Sequence, residues 1–164
     1  MRLDDVDQQI VAWLSRDARS SYRTIGASIG LSAPAVKRRV DRLLDTGVIE
    51  RFSAVIDPRA LGWSTECFVE LFCEGRTPPG VIATVLSRYP EVVGAYTITG
   101  DPDALVHMRA SDTAHLESTL ERIRSEPFVV RTRSVIVLSK LLERTFPTTE
   151  DGVGGSAPPA GTKA

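Results

Sequence analysis

The stretch from Thr24 to Gly47, TIGASIGLSAPAVKRRVDRLLDTG, narrows the possible folds more than any other part of the chain. It reads as two short helices joined by a tight turn. The first is expected from about Thr24 to Ile29, with Gly30-Leu31 as the turn. Ser32 is expected as an N-cap, its hydroxyl accepting from a free amide in the next turn. Pro34 falls in that first turn, where a missing N–H does no harm. The second helix is expected to reach about Thr46, with Gly47 at the permissive position beyond its end. On a helical wheel Ala33, Val36, Val40, Leu43 and Leu44 gather on one face. Pro34, Ala35, Arg38, Asp41, Arg42 and Asp45 gather on the other, with Lys37 and Arg39 on opposite flanks. Small residues near the N-terminus and arginines beyond them suit a helix offered to the DNA major groove. An ordinary solvated helix has the same pattern, and Asp41 and Asp45 favour that reading. The Gly-containing turn favours a helix-turn-helix.

The chain before this stretch supplies a third helix. Asp4 to Ser15 places Val6, Ile10, Trp13 and Leu14 at helical spacing, Asp4 can cap it, and Asp5 and Asp7 suit its positive end. Ser20 or Ser21 is expected to cap the helix after it. Ile10, Leu14, Ile25, Ile29, Leu31, Val36, Val40 and Leu43 would then close a small core. Trp13 either joins that core or faces a partner subunit. After Gly47, VIERFSAVID reads as an extended segment ended by Asp57-Pro58, and Arg59 to Gly62 as a linker.

The remainder alternates strands and helices. Strands are expected at Glu66–Glu74, Val92–Thr99, Ala104–Ala110 and Val129–Leu142. Helices are expected at Pro78–Tyr89 and from the Asp112 cap to about Ser125. The order βαββαβ is the ferredoxin-like arrangement. In the first strand Cys67, Val69, Leu71 and Cys73 share one face, while Phe68 and Phe72 share the other with Glu66, Glu70 and Glu74. A sheet with helices on one side should be polar on its open side. Two phenylalanines there, and apolar residues on both faces of the last strand, point to a two-fold dimer through that face.

The 164 residues carry a net charge of -1, which argues against a non-specific polybasic binder and leaves a locally basic docking face open. No run of 18 or more apolar residues exists, and MRLDDVDQQ lacks an apolar core, so neither a membrane span nor a secretory signal is expected. Cys67 and Cys73 are the only cysteines and stand about 20 Å apart along one strand, too far to pair. They suit small apolar positions in a reduced, cytoplasmic protein. Neither histidine, His107 or His115, has a metal-ligand spacing to a cysteine, and no metal or cofactor is expected. From Thr148 the chain is Gly, Pro, Ala and small polar residues, the composition of a disordered tail.

The ordered combination resembles the Lrp/AsnC, or feast/famine, transcriptional regulators. The residues that carry the likeness are LDDVDQQIVAWL, DARSSYRTIGASIGLSAPAVKRRVDRLLDTGVIERFSAVIDPRALG, the ITGDPDALVHM hairpin and the closing VRTRSVIVL, together about Leu3 to Leu142. The implied fold is α+β. An N-terminal three-helix winged helix-turn-helix domain would span 1–49, a hinge strand and linker 50–63, a C-terminal ferredoxin-like βαββαβ effector-binding and dimerisation domain 64–146, and a disordered tail 147–164.

The resemblance implies a homodimer, in some members an octamer, binding a partly palindromic double-stranded DNA and modulated by an amino acid. Ser32, Pro34, Ala35, Lys37, Arg38, Arg39 and Arg42 are the candidate DNA contacts. Arg38 is the best placed for bases, with Pro34 and Ala35 suited to thymine methyls. Lys37, Arg39 and Arg42 are assigned to phosphates or to pairing with Asp41 and Asp45. Thr99, Gly100, Asp101 and Asp103 are the candidate effector contacts. A carboxylate of Asp101 or Asp103 would hold an ammonium, and amides near Gly100 a carboxylate. A plain tight turn wants the same residue types. Pro102, Ala104 and His107 depart from the family's pattern, which often has an aromatic residue at the first, a large one at the second and a basic one at the third, so a smaller or reshaped pocket, or loss of the effector response, is expected. No catalytic residue is assigned. Two alternatives remain: a tetrapyrrole decarboxylase of haem biosynthesis, which shares this architecture and would use His107 near Arg109, and an architectural DNA-binding protein.

Overall fold

The computed structural model describes residues 3–143. The chain divides into two compact units that meet between Ile56 and Asp57. The expected tail from 147 onward and the expected domain end at 146 lie outside the described residues.

The first unit is three helices: α1 (Asp5–Arg16), α2 (Tyr22–Ile29) and α3 (Ala33–Asp45). Local chemistry sets their ends. The Asp4 carboxylate accepts from the Asp7 amide at 2.7 Å, and Ser21 Oγ accepts from the Thr24 amide at 3.1 Å, so α2 starts two residues before the expected Thr24. Gly30 ends α2 in the left-handed region at φ 73°, and Gly47 plays the same part after α3 at φ 71°. Ser32 has the extended backbone of a cap, yet its hydroxyl makes no capping bond. The reason is local. Pro34 at the second helical position has no N–H to offer, and the Ala35 amide is taken by the Ser32 carbonyl at 3.0 Å. Ile10, Leu14, Ile25, Val36, Val40 and Leu43 form the core, with Ile29, Leu31 and Trp13 packed at its edge. The Trp13 indole donates to Ser20 Oγ at 2.9 Å.

Residues 51–57 form no helix or strand, and Phe52, Val55 and Ile56 lie exposed there. No strand precedes Thr65 among the described residues, so neither a wing nor the hinge strand is paired within this chain. Where a plain linker was expected, Pro58–Leu61 makes a short 3-10 helix capped by the Asp57 carboxylate, which accepts from the Arg59 amide at 3.0 Å.

The second unit holds β1 (Thr65–Cys73), α4 (Pro79–Leu86), β2 (Val92–Thr97), β3 (Ala104–Ala110), α5 (Thr113–Arg124) and β4 (Val129–Ile136). The strands form one antiparallel sheet in the order β2-β3-β1-β4. Both helices pack on one face, where Ile82, Leu86, Leu116, Leu120 and Ile123 meet Cys67, Val69, Leu71, Val106 and Met108. Burial pushes the Cys67 thiol up to about 11, so it stays protonated and inert at neutral pH. Three elements are shorter than expected. Pro90 keeps Tyr89 out of a helix, and α4 stops at Leu86. Strand β2 stops at Thr97, opposite the start of β3. Strand β4 stops at Ile136 rather than Leu142, because its partner β1 begins at Thr65 and the ladder runs out. One further bond, from the Val137 amide to the Glu66 carbonyl at 2.8 Å, closes it. No helix among the described residues is long and apolar enough to cross a membrane.

Candidate nucleic-acid interface and effector loop

Helix α3 buries Val36, Val40 and Leu43 and turns its polar side outward. Ser32, Pro34, Lys37 and Arg38 are exposed, and Ala35 is half-buried beside them. The four basic residues differ sharply in what holds them. Lys37 pairs with Asp41 one turn on, at 2.6 Å, which raises its pKa from the ordinary value. Arg39 and Arg42, expected at phosphates or at Asp41 and Asp45, are bound instead to acids of α1 and its cap. Arg39 Nη1 lies 2.7 Å from Asp4 and 2.8 Å from Asp7, and Arg42 Nη2 lies 2.5 Å from the other oxygen of Asp7. The Arg39 hydrogen bond, with the Asp7 amide second, holds the Asp4 carboxyl below its usual value. Arg38 has no ion-pair partner among the described residues. It projects beside Pro34 and Ala35 as the one uncommitted cation of the helix.

The loop between β2 and β3 runs from Ile98 to Asp103. Gly100 takes φ 118°, a conformation other residues rarely adopt. Thr99, Gly100 and Asp101 are exposed. Asp103 is committed: its carboxylate accepts from the Cys73 amide at 2.7 Å, and its own amide donates to the Leu71 carbonyl at 2.9 Å. It stitches the loop to β1, which leaves Asp101 as the free carboxylate there. Asp101 shares its surroundings with Arg133, which is bound to Glu70 through two nitrogens at 2.6 and 2.8 Å. Ala104 does not shape this loop's surface, because it faces the helices and is buried in the core opposite Leu71. His107 lies on the open face, stacked on Phe68 at 4.6 Å between ring centres, with Nε2 2.6 Å from Glu66.

A helix-turn-helix with one free arginine on its second helix, joined in sequence to a ferredoxin-like unit, matches known proteins at both ends. The AsnC-type helix-turn-helix domain matches residues 3–44, and the Lrp/AsnC ligand binding domain matches residues 66–146. The HTH-type transcriptional regulator Rv2324 of Mycobacterium tuberculosis is 51% identical over 146 residues, covering 89% of this chain and 99% of that one. The chain belongs to the Lrp/AsnC family. It is a transcriptional regulator with a DNA-binding helix-turn-helix and a ligand-binding domain. Among solved structures, the leucine response regulatory protein LrpA of Mycobacterium tuberculosis superposes with a TM-score of 0.74 at 33% identity, over 86% of this chain and 96% of that one. The L-Met complex of the transcriptional regulator NMB0573 from Neisseria meningitidis gives 0.82 at 22% identity, over 89% and 97%, a likeness of fold.

Two residues central to this Lrp/AsnC helix-turn-helix escaped the sequence reading. Asp7 suits the positive end of α1 by position, but it is buried and holds two arginines of α3. Its partners lie 32 and 35 residues away, beyond any local pattern. Gly26 is buried in α2, and a Cβ there would run into the Leu31 carbonyl oxygen. The signal was available: a glycine inside an amphipathic helix marks a close approach. In the ligand-binding domain Glu91 was likewise passed over. It is 4% exposed, and its Oε1 accepts from Arg122 at 2.6 Å, His115 at 2.9 Å and Thr119 at 3.2 Å.

Proposed function

We propose that this regulator binds a partly palindromic operator as a homodimer, and that an amino acid bound beside the β2–β3 loop tunes its affinity. The observation that carries the DNA reading is the state of Arg38: exposed, unpaired among the described residues, and flanked by small side chains that permit a close approach. A guanidinium in that setting donates two parallel bonds to a guanine edge. Ser32 and Lys37 are assigned to phosphates, Lys37 on exchanging Asp41 for the backbone. Pro34 and Ala35 are assigned to apolar contact with thymine methyls.

The dimer reading is supported by the open face of the sheet. Phe68 and Phe72 are half-buried there, and Tyr96 and Val135 are 56% and 60% exposed on the flanking strands. The effector reading is supported by the free carboxylate of Asp101, the positive-φ turn at Gly100 and the exposed Thr99. The L-Met complex of a protein with this fold makes methionine the first amino acid to try. A coupling of this kind is typically about 1–3 kcal/mol, a factor of roughly 5 to 150 in affinity.

Fluorescence anisotropy with the protein's own upstream DNA and a scrambled duplex, at two salt concentrations and with an amino acid panel, tests the reading. Tighter binding to the native fragment, shifted by one amino acid and lost with Asp101→Asn, is the expected result. Arg38→Ala should relax sequence preference, and Lys37→Ala should weaken all sequences alike. Equal loss on both duplexes for Arg38→Ala refutes the base contact. Equal, steeply salt-dependent binding by the unaltered protein points to an architectural role. Absence of binding to either duplex, with a haem-type chromophore on the purified protein, points to the decarboxylase.

A further inference from the structure

Of the four basic residues on α3, three are held by carboxylates of their own domain, and the arrangement is centred on Asp7. This residue is 2% exposed in a unit whose core has only six aliphatic side chains. A carboxylate so buried needs cations, and each of its oxygens receives one, Arg39 at 2.8 Å and Arg42 at 2.5 Å. Asp4 adds a second acceptor for Arg39 at 2.7 Å from the rim. The arginines themselves are not buried: their side chains are 29% and 49% exposed. Each is therefore free to swing into solvent once Asp7 lets go of its guanidinium group. A helix in the major groove runs between two phosphate walls, and long basic side chains on its flanks bind those walls whatever the sequence.

We propose that Asp7 is a specificity-determining positioning residue: it withholds Arg39 and Arg42 from the DNA backbone and so lowers sequence-independent affinity, leaving discrimination to Arg38. The proposal rests on the DNA-binding reading of α3. It assigns to an aspartate that never touches DNA the ratio of specific to random binding.

The test titrates the full-length protein and Asp7→Asn onto a random duplex and the upstream fragment over a range of salt. Asparagine keeps the shape and frees Arg42, while Arg39 keeps only its exposed partner Asp4. Each arginine that reaches a phosphate steepens the slope of log K against log salt by about 0.9, so Asp7→Asn should steepen it by up to about 1.8 per recognition helix. Binding to the random duplex should strengthen, and the specific-to-random ratio should fall. Adding Arg39→Gln and Arg42→Gln to Asp7→Asn should restore the original slope. A merely structural Asp7 would give weaker binding to both duplexes with no steeper slope, and that result overturns the proposal. Arg42→Gln can overturn the idea even where Asp7→Asn folds poorly. The slope stays unchanged if Asp7 holds Arg42 back, and it shallows by about 0.9 if Arg42 already sits on a phosphate, which sinks the idea. Failure of the sequence-specific reading is seen separately, as equal binding of the unaltered protein to both duplexes, while the slope comparison on random DNA still reports on Asp7.

Discussion

Each unit buries one carboxylate beside its core, and the two are held in different ways. In the helical unit both oxygens of Asp7 are matched to guanidinium groups, and these come from a single helix, α3. In the sheet unit the three donors to Glu91 converge on Oε1, while Oε2 is buried with no partner. The cores differ as well. Six aliphatic residues close the helical unit, so its two arginines are a large part of what joins α1 to α3. Thirteen residues close the sheet unit, where Glu91 adds to packing that already joins helix and sheet. Ion pairing in the small unit is therefore both architecture and control of surface charge. In the large unit it is a local tie that leaves one carboxylate oxygen without a partner.

The largest effect is expected on stripping the cations from Asp7. Arg39→Ala with Arg42→Ala strips both guanidinium groups from a carboxylate that is 2% exposed in the intact protein, and up to about 3–5 kcal/mol of stability should be lost. Asp7→Asn should cost less, because the released arginines reach water. Each unit carries one tryptophan, Trp13 or Trp63, so urea unfolding followed by fluorescence of single-tryptophan variants separates the two transitions. The Trp13 transition should move and the Trp63 transition should stay. Movement of both together would show that the units do not unfold independently.

That asymmetry also explains what was legible in the sequence. The caps at Asp4, Ser21, Gly30, Gly47 and Asp112 were, since these act within a few residues of themselves, although α2 starts before the expected Thr24 and α4 stops short of Tyr89. So was the strand alternation that places Cys67, Val69 and Leu71 inside. The same parity, read through Ala104, Val106 and Met108, places Ala104 in the core, a step the family comparison obscured. Long-range polar pairing was not legible. The wheel sets Arg39 and Arg42 on accessible faces without revealing Asp7, and turn chemistry at Asp103 does not reveal its bond to the Cys73 amide 30 residues earlier. On the outward side of α3 the wheel places the exposed small and basic residues, but which of the cations are free depends on tertiary contacts.

Gly26→Ala tests the helical unit through its packing. The added methyl meets backbone rather than a yielding side chain, since the Leu31 carbonyl fills the space and Val36 stands 3.4 Å away. The expected loss is toward the upper end of about 1–3 kcal/mol, confined to the Trp13 transition. DNA affinity should fall with it, because the turn sets the angle of α3. Normal stability with normal binding would mean the turn has slack.

Glu91→Gln probes the other carboxylate and should cost about 1–2 kcal/mol, confined to the Trp63 transition. Burial pushes the Glu91 pKa up, but hydrogen bonds from His115, its own amide and Arg122 outweigh this, and the net shift is downward. Its ionisation therefore contributes stability that is present above the ordinary value of 4.5 and is lost as pH falls through the lower folded value. Glu91→Gln should flatten that acid limb. A sheet unit whose acid unfolding is unchanged by the substitution would place the titrating group elsewhere.

The smallest effect comes from two serines at equivalent positions. Ser21 Oγ caps α2 through the Thr24 amide at 3.1 Å, and Ser21→Ala should cost about 1 kcal/mol. Ser32 precedes α3 with the same extended backbone but no capping bond, because Pro34 has removed the amide, so Ser32→Ala should stay within about 0.5 kcal/mol. A hydroxyl that is exposed, unused by its own helix and set at a positive helix end is available to a phosphate. Ser32→Ala should therefore weaken DNA binding more than it weakens the fold, whereas Ser21→Ala should do the reverse. Measuring both variants by urea unfolding and by anisotropy on the same duplex separates a cap from a contact. Equal small losses of stability with no change in binding would remove Ser32 from the interface and leave Lys37 and Arg38 to carry it.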